Sequence, residues 1–272
     1  MKNRVYTSIV FVIVMLGGVY ISPVTFVLLF GSIAGLCLWE FLQMVLPNER
    51  KRDHFRKHMG MVLGLAPFSA LTILHIGFES VDLSAKWLLF FFPMVFLVLV
   101  YELFTRSEHP VRNIAYIILG IIYIGVPFSL LQMVAFDTNA YRPNVICGML
   151  LLTWCNDTAA YLFGSRIGKT PLFPRISPKK TWEGTLAGAC CTLLAAVGLS
   201  FMFADLTCLN WAIISALISI FGTLGDLVES MLKRSVQVKD SGTLLPGHGG
   251  LLDRFDSFLF TLPFVTIYVL FT

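Results

Sequence analysis

Apolar runs near 20 residues recur along almost the whole of this chain, and they constrain its fold more than any other feature. A helix needs about 20 apolar residues to cross the ~30 Å hydrocarbon layer of a bilayer. Backbone N–H and C=O groups find no water there, so only helices and closed barrels can span it. A barrel is built from short segments of alternating polarity, and a run such as WLLFFFPMVFLVLV at 87–100 does not alternate. The pattern predicts an all-α, polytopic transmembrane bundle of about nine spans, at 5–20, 23–45, 59–77, 86–104, 113–135, 144–163, 184–203, 209–233 and 252–271. The third is the least regular, being rich in Gly and containing Pro67 and His75. The first reads as an uncleaved helix, because no small-residue cleavage site precedes Pro23 and the second run follows at once. A composition 57% hydrophobic and 13% charged excludes an ordinary soluble domain.

Basic residues in loops set orientation. With the amino terminus in the cytoplasm, 18 of the 20 Lys and Arg fall in cytoplasmic segments, and only Lys86 and Arg142 lie outside. The opposite loops are short and hold Glu79, Asp82, Asp137 and Asp205. An odd number of spans then puts the carboxyl terminus on the far side. A basic cytoplasmic face attracts anionic lipid heads and phosphates, although topology bias alone suffices for the cluster at 50–57. No basic–aromatic interleaving points to nucleic acid. The cysteines at 37, 147, 155, 190, 191 and 208 form neither CxxC nor a Cys/His cluster and read as small packing residues.

The chain has two textures. Residues 1–140 are apolar spans with short loops, read as a transmembrane scaffold. Glu40 and Glu102 there, near the cytoplasmic span ends, are either interfacial side chains or parts of a polar site. Residues 141–272 combine spans with polar loops at 164–183 and 234–251 and read as the catalytic region.

Three constellations in that region can carry chemistry. On the eighth helix, Asp226, Glu229, Ser230 and Lys233 fall at i, i+3, i+4 and i+7, forming one polar face at the end of a span. A carboxylate there needs a cation: a Lys or Arg, or a metal. The segment KDSGTLLPGHGGLLDRFD follows, with Pro246, Gly247, Gly249 and Gly250 making tight turns, and Asp253 and Asp256 near the start of the ninth helix. Asp253 either complements that helix N-terminus or joins Asp226 in holding Mg²⁺, which favours carboxylates with water and phosphates. His248 is a phosphate donor or a plain loop residue. The third constellation is NDTAAYLFGSRIGKTPLFPRISPKKTWEG. Asn156 and Asp157 lie near a helix end, and Ser177, Lys179, Lys180 and Thr181 precede a helix start suited to phosphate. GSRIGKT is not a P-loop: its first Gly is one residue too near and no strand precedes it.

The run Ser230-x-x-Lys233-Arg234, four residues, Lys239-Asp240-x-Gly242, three residues, Pro246-x-His248-Gly249-Gly250-x-x-Asp253-Arg254-x-Asp256 resembles the signature of the phosphatidate cytidylyltransferase (CDP-diacylglycerol synthase) family, with no departure at its fixed positions. NDTAAY and SPKKTWEG resemble the same family, so motif-level similarity covers 156–256. The resemblance implies that CTP and phosphatidic acid give CDP-diacylglycerol and pyrophosphate, a step of phospholipid biosynthesis. It implies a metal pair, Mg²⁺ with a second monovalent or divalent cation, on Asp226 and Asp253. Lys239 and Arg254 are then expected at the reacting phosphates. Ser177, Lys179, Lys180, Thr181, Lys233, Arg234, His248, Gly249, Gly250, Asn156 and Asp157 are expected around the substrates. Asp256, Asp240 and Glu183 are expected in supporting roles. The small size and lack of extra domains favour a bacterial inner membrane, and the resemblance allows a homodimer. The rival enzyme class is a CTP-dependent polyprenol or diacylglycerol kinase, which would release CDP. A secondary transporter is the rival outside enzymes, but neither inverted repeats nor paired broken helices are evident.

Overall fold

The computed structural model describes residues 2–46, 51–76, 91–137, 140–244 and 249–272. Its α-helices are α1 (Lys2–Tyr20), α2 (Pro23–Val45), α3 (Lys51–Ile76), α4 (Phe91–Thr105), α5 (Pro110–Gly120), α6 (Val126–Ala135), α7 (Pro143–Ile167), α8 (Trp182–Met202), α9 (Cys208–Ser235) and α10 (Leu252–Leu270). A π-helical turn at Ile121–Gly125 joins α5 to α6, so these form one helix, Pro110–Ala135. The expected all-α polytopic class holds: the described residues contain nine helices, close to the expected nine segments. Six are long and apolar enough to cross a membrane: Pro23–Val45, Arg52–Ile76, Pro110–Ala135, Pro143–Ile167, Trp182–Met202 and Cys208–Ser235. The apolar stretches Ile9–Tyr20 and Pro93–Thr105 are shorter, and α10 opens with Asp253, Arg254 and Asp256 in its first turns. Two small antiparallel pairs add to the helices, β1 (Phe136–Asp137) with β2 (Ala140–Tyr141) and β3 (Pro171–Phe173) with β4 (Ser177–Thr181).

Local sequence explains the helix starts. Ser22 and Thr25 exchange backbone-to-hydroxyl hydrogen bonds of 3.0 and 3.1 Å ahead of Pro23, a capping box with Pro at the first helical position. Thr181 Oγ1 accepts from Gly184 N–H (3.2 Å) at the start of α8, and Thr207 Oγ1 accepts from Asn210 N–H (3.2 Å) at the start of α9.

The chain divides into two compact units, Met1–Met133 with Asp240–Leu252, and Val134–Lys239 with Asp253–Thr272. In the first unit Phe26, Phe30, Phe41, Leu38, Ile117 and Phe128 are fully buried. Here α3 begins well before the expected 59. The basic run 51–57 is helical, and Arg56 and Lys57 are 1% and 0% exposed. Arg56 pairs with Asp53 (2.5 Å) and with Glu102 of α4, while Lys57 Nζ donates to Gln43 Oε1 of α2 (2.7 Å). Topology bias alone therefore does not account for this cluster. The carboxylates let the helix start early, because they remove the cost of burying the cations. Glu102 likewise belongs to a buried polar network rather than to an interface.

In the second unit α7 packs along α8, and α8 along α9. A Cβ on Gly184 would lie 2.7 Å from the Ala160 carbonyl oxygen and 2.8 Å from Gly164 Cα, so glycine there permits the close α7–α8 approach. Phe221 of α9 stacks on Phe264 of α10 at 3.5 Å. The six cysteines are free thiols, with Cys37 and Cys147 buried.

Candidate active site

The polar face expected on α9 is present, and charged side chains from three other elements gather around it. Asp226 is reached from β4: Lys180 Nζ lies 2.5 Å from Asp226 Oδ2, and Ser230 Oγ donates to Asp226 Oδ1 at 3.3 Å. The two side chains of that pair keep 24% and 36% of their surface, so the ion pair is open to a ligand. Asp157 of α7 is exposed and interacts electrostatically with both Asp226 and Lys180, and Asn156 is buried beside it. This first cluster holds two carboxylates and one lysine.

One helical turn further along α9, Lys233 Nζ lies 2.9 Å from Glu229 Oε2 and 2.5 Å from Asp253 Oδ1 of α10. Glu229 is fully buried, and buried Asp256 interacts with it electrostatically while accepting from the Ser257 N–H at 2.7 Å. This second cluster holds three carboxylates and one lysine. Lys233 thus cross-links α9 to α10, and it touches Asp253 rather than standing at the surface as a free phosphate ligand.

The hairpin between α7 and α8 presents Lys179, and other cations stand on α9, α10 and the segment after α9. Glu183 accepts from the backbone N–H groups of Lys169 and Thr170 at 3.1 Å, and Trp182 N–H donates to Thr170 C=O at 3.0 Å. Glu183 therefore fixes the loop, a supporting role. Thr181 uses its hydroxyl oxygen as the cap of α8. Ser177 is half-buried at the start of β4, and Lys179 is exposed. Arg234, Lys239 and Arg254 are exposed, and Arg234 Nη1 also donates to Val238 C=O at 3.1 Å. Gly249, with φ 83°, and buried Gly250 belong to the other unit; His248 lies outside the described residues.

The structure thus gathers Asn156, Asp157, Lys180 and Asp226, and separately Lys233 and Asp253. Among the described residues, Lys179, Arg234 and Lys239 are not drawn into either group. The donor set in both clusters is carboxylate oxygen, the chemistry of a hard divalent cation. Among the described residues no three His, Cys, Asp or Glu side chains converge to cage a metal. The residues fit an ion that keeps water and ligand phosphate among its ligands, as Mg²⁺ does, not a preformed protein cage. Reasoning from the sequence left Glu40 and Glu102 open and missed the buried Arg56. The signal for all three was a charged side chain inside or beside an apolar run.

The model of the group described as "Cytidylyltransferase family" matches residues 2–272. The chain belongs to that family. Proteins named phosphatidate cytidylyltransferase are similar to it over 98% of both chains: that of Staphylococcus saprophyticus is 35% identical over 269 residues, that of Staphylococcus aureus strain COL 34% over 269, and that of Staphylococcus epidermidis 35% over 274. The similarity therefore extends over the amino-terminal half as well as the motif region 156–256.

Proposed function

We propose that this membrane protein is a phosphatidate cytidylyltransferase, transferring CMP from CTP to phosphatidic acid to give CDP-diacylglycerol and pyrophosphate. The observation that carries this reading is the pair of acidic clusters bridged by Lys180 and Lys233 at the end of an apolar helix. In the reaction a phosphatidate phosphate oxygen forms a bond to the α-phosphorus of CTP, and the bond to the β-phosphate oxygen breaks as pyrophosphate leaves. No covalent protein intermediate is needed, so the protein's task is to bring two anions together, hold them in line and offset developing charge.

The residues divide this work by exposure. Lys180, half-open and already next to Asp226, is suited to donate to phosphate oxygens in the accessible cluster. Asp226 and Asp253 are the residues that would hold Mg²⁺, with or without a second cation. Such an ion, when bound, supplies charge neutralisation between attacking and leaving oxygens. Lys233 keeps Asp253 oriented, and Lys179, Lys239, Arg234 and Arg254 add positive charge that attracts nucleotide and lipid phosphates. Asn156 and Asp157 border the first cluster. The distribution of Lys and Arg supports a multi-pass inner-membrane protein with amino terminus and motif loops cytoplasmic and carboxyl terminus opposite. CTP would meet the phosphatidate headgroup at that face. A homodimer is compatible with this reading.

The test is which phosphorus reaches the lipid. Purified protein given phosphatidate and CTP labelled in turn at the α and γ positions should place only the α label in lipid and release the γ label in pyrophosphate. γ label in lipid with CDP release would instead make it a lipid kinase.

A further inference from the structure

Glu40 lies on α2, within an apolar span, and its side chain is only 5% exposed. Its partners come from 200 residues away in sequence. Ser241 Oγ donates to Glu40 Oε2 at 3.2 Å, and Leu252 N–H donates to the same oxygen at 2.9 Å. Leu252 is the first residue of α10. Glu40 therefore gives one of that helix's first amides, which have no intrahelical partner, an acceptor from a different helix. Asp253 is the next residue.

Two glycines complete the arrangement. A Cβ on Gly242 would lie 2.5 Å from Glu40 Oε1 and 2.8 Å from its Cδ. A Cβ on Gly250 would lie 2.6 Å from Glu40 Oε2 and 2.7 Å from Gly242 N, and would overlap Ser241 Oγ. Both arms of the glycine-rich segment thus close on one carboxylate, and the small residues are what allow it. The arrangement is costly. Glu40 Oε1 is buried with no hydrogen-bond partner among the described residues. An apolar side chain would fill the same place without the penalty of a half-satisfied buried carboxylate. Stability alone is a poor reason to keep it.

We propose that Glu40 is a positioning residue, which ties residues 241–242 to residues 250–252 and accepts from the first amide of α10, so that Asp253, the next residue in the chain, is held in register. This rests on the cytidylyltransferase reading above.

The test compares Glu40→Ala, Glu40→Gln and Gly242→Ala in detergent, each checked for wild-type helix content. Misplacing a reacting group by ~1 Å costs about 100-fold in rate, so Glu40→Ala should lower kcat by about that factor while KM for CTP and phosphatidate stays within about threefold. Glu40→Gln keeps one acceptor for the Leu252 amide and should recover most of that loss. Gly242→Ala displaces the carboxylate and should reproduce the loss, and the Glu40→Ala/Gly242→Ala double variant should be no worse than the poorer single. Independently of activity, hydrogen exchange in the peptide covering 249–256 should speed up at least tenfold in Glu40→Ala, with the middle of α2 unchanged. A folded Glu40→Ala with wild-type kcat and wild-type exchange overturns the proposal, as does a rise in KM alone. If Glu40→Ala does not fold, Gly242→Ala and Glu40→Gln decide the matter by the same readouts. A wild-type protein that transfers no label overturns the function reading instead, and the exchange result then decides the Glu40 contact by itself.

Discussion

Lys180 and Lys233 each hold a carboxylate that the proposed reaction needs, but their surroundings differ. The Lys180–Asp226 pair is half-open, so solvent screens it and its removal should cost at most about 1 kcal/mol of stability. Lys180→Met should therefore fold normally and lose activity, mostly through weaker handling of CTP phosphates. A kinetic series in detergent checks this. The Lys233 side chain is 11% exposed and contacts two carboxylates with 1% and 8% exposure. Lys233→Met would strand Glu229 and Asp253 and should destabilise the fold by roughly 3–5 kcal/mol, read as a lower midpoint in thermal or denaturant melts. Two lysines on one site thus predict one functional and one structural defect. The spacing of Lys233 to Asp226 and Glu229 was legible in the sequence. The division of labour between the two lysines was not, because Lys180 meets α9 only once β4 is formed, and Asp253 meets Lys233 across 20 residues.

At the level of elements, nearly every helix lies where apolar runs and cap residues put it. The α2 span and the starts of α8 and α9 follow from Ser22, Thr181 and Thr207. The early start of α3 is the main departure, and its cause is long-range: Arg56 is buried by Glu102, 46 residues away. No local pattern reports such a partner. Replacing Arg56 alone by Met should cost about 3–5 kcal/mol by leaving Asp53 and Glu102 buried without a cation. Replacing all three with apolar residues of similar volume should be close to neutral. Melting of the single and triple variants distinguishes this network from a mere surface charge cluster. Glu40 was equally hidden, since its contacts with Ser241 and Leu252 span 201 and 212 residues.

For the molecule as a whole, the asymmetry of basic residues makes a topological prediction. In a cysteine-free background, single cysteines at Lys169 and Lys239 should react with impermeant thiol reagents only from the cytoplasmic side, and one at Asp205 only from the other. Opposite labelling would place the acidic clusters away from CTP. Among the described residues six of the nine helices meet the length and hydropathy of a span by themselves, so this labelling also tests whether the chain crosses an odd number of times.

The most direct measurement is magnesium-dependent transfer of α-labelled CTP into lipid by the purified protein with phosphatidate, alongside Asp226→Asn and Asp253→Asn. The account predicts label in CDP-diacylglycerol with the wild type and loss of at least about 100-fold in both folded variants. Transfer that survives both substitutions would contradict the assignment of these carboxylates. A folded wild type that labels no lipid with any divalent ion would contradict the reaction itself.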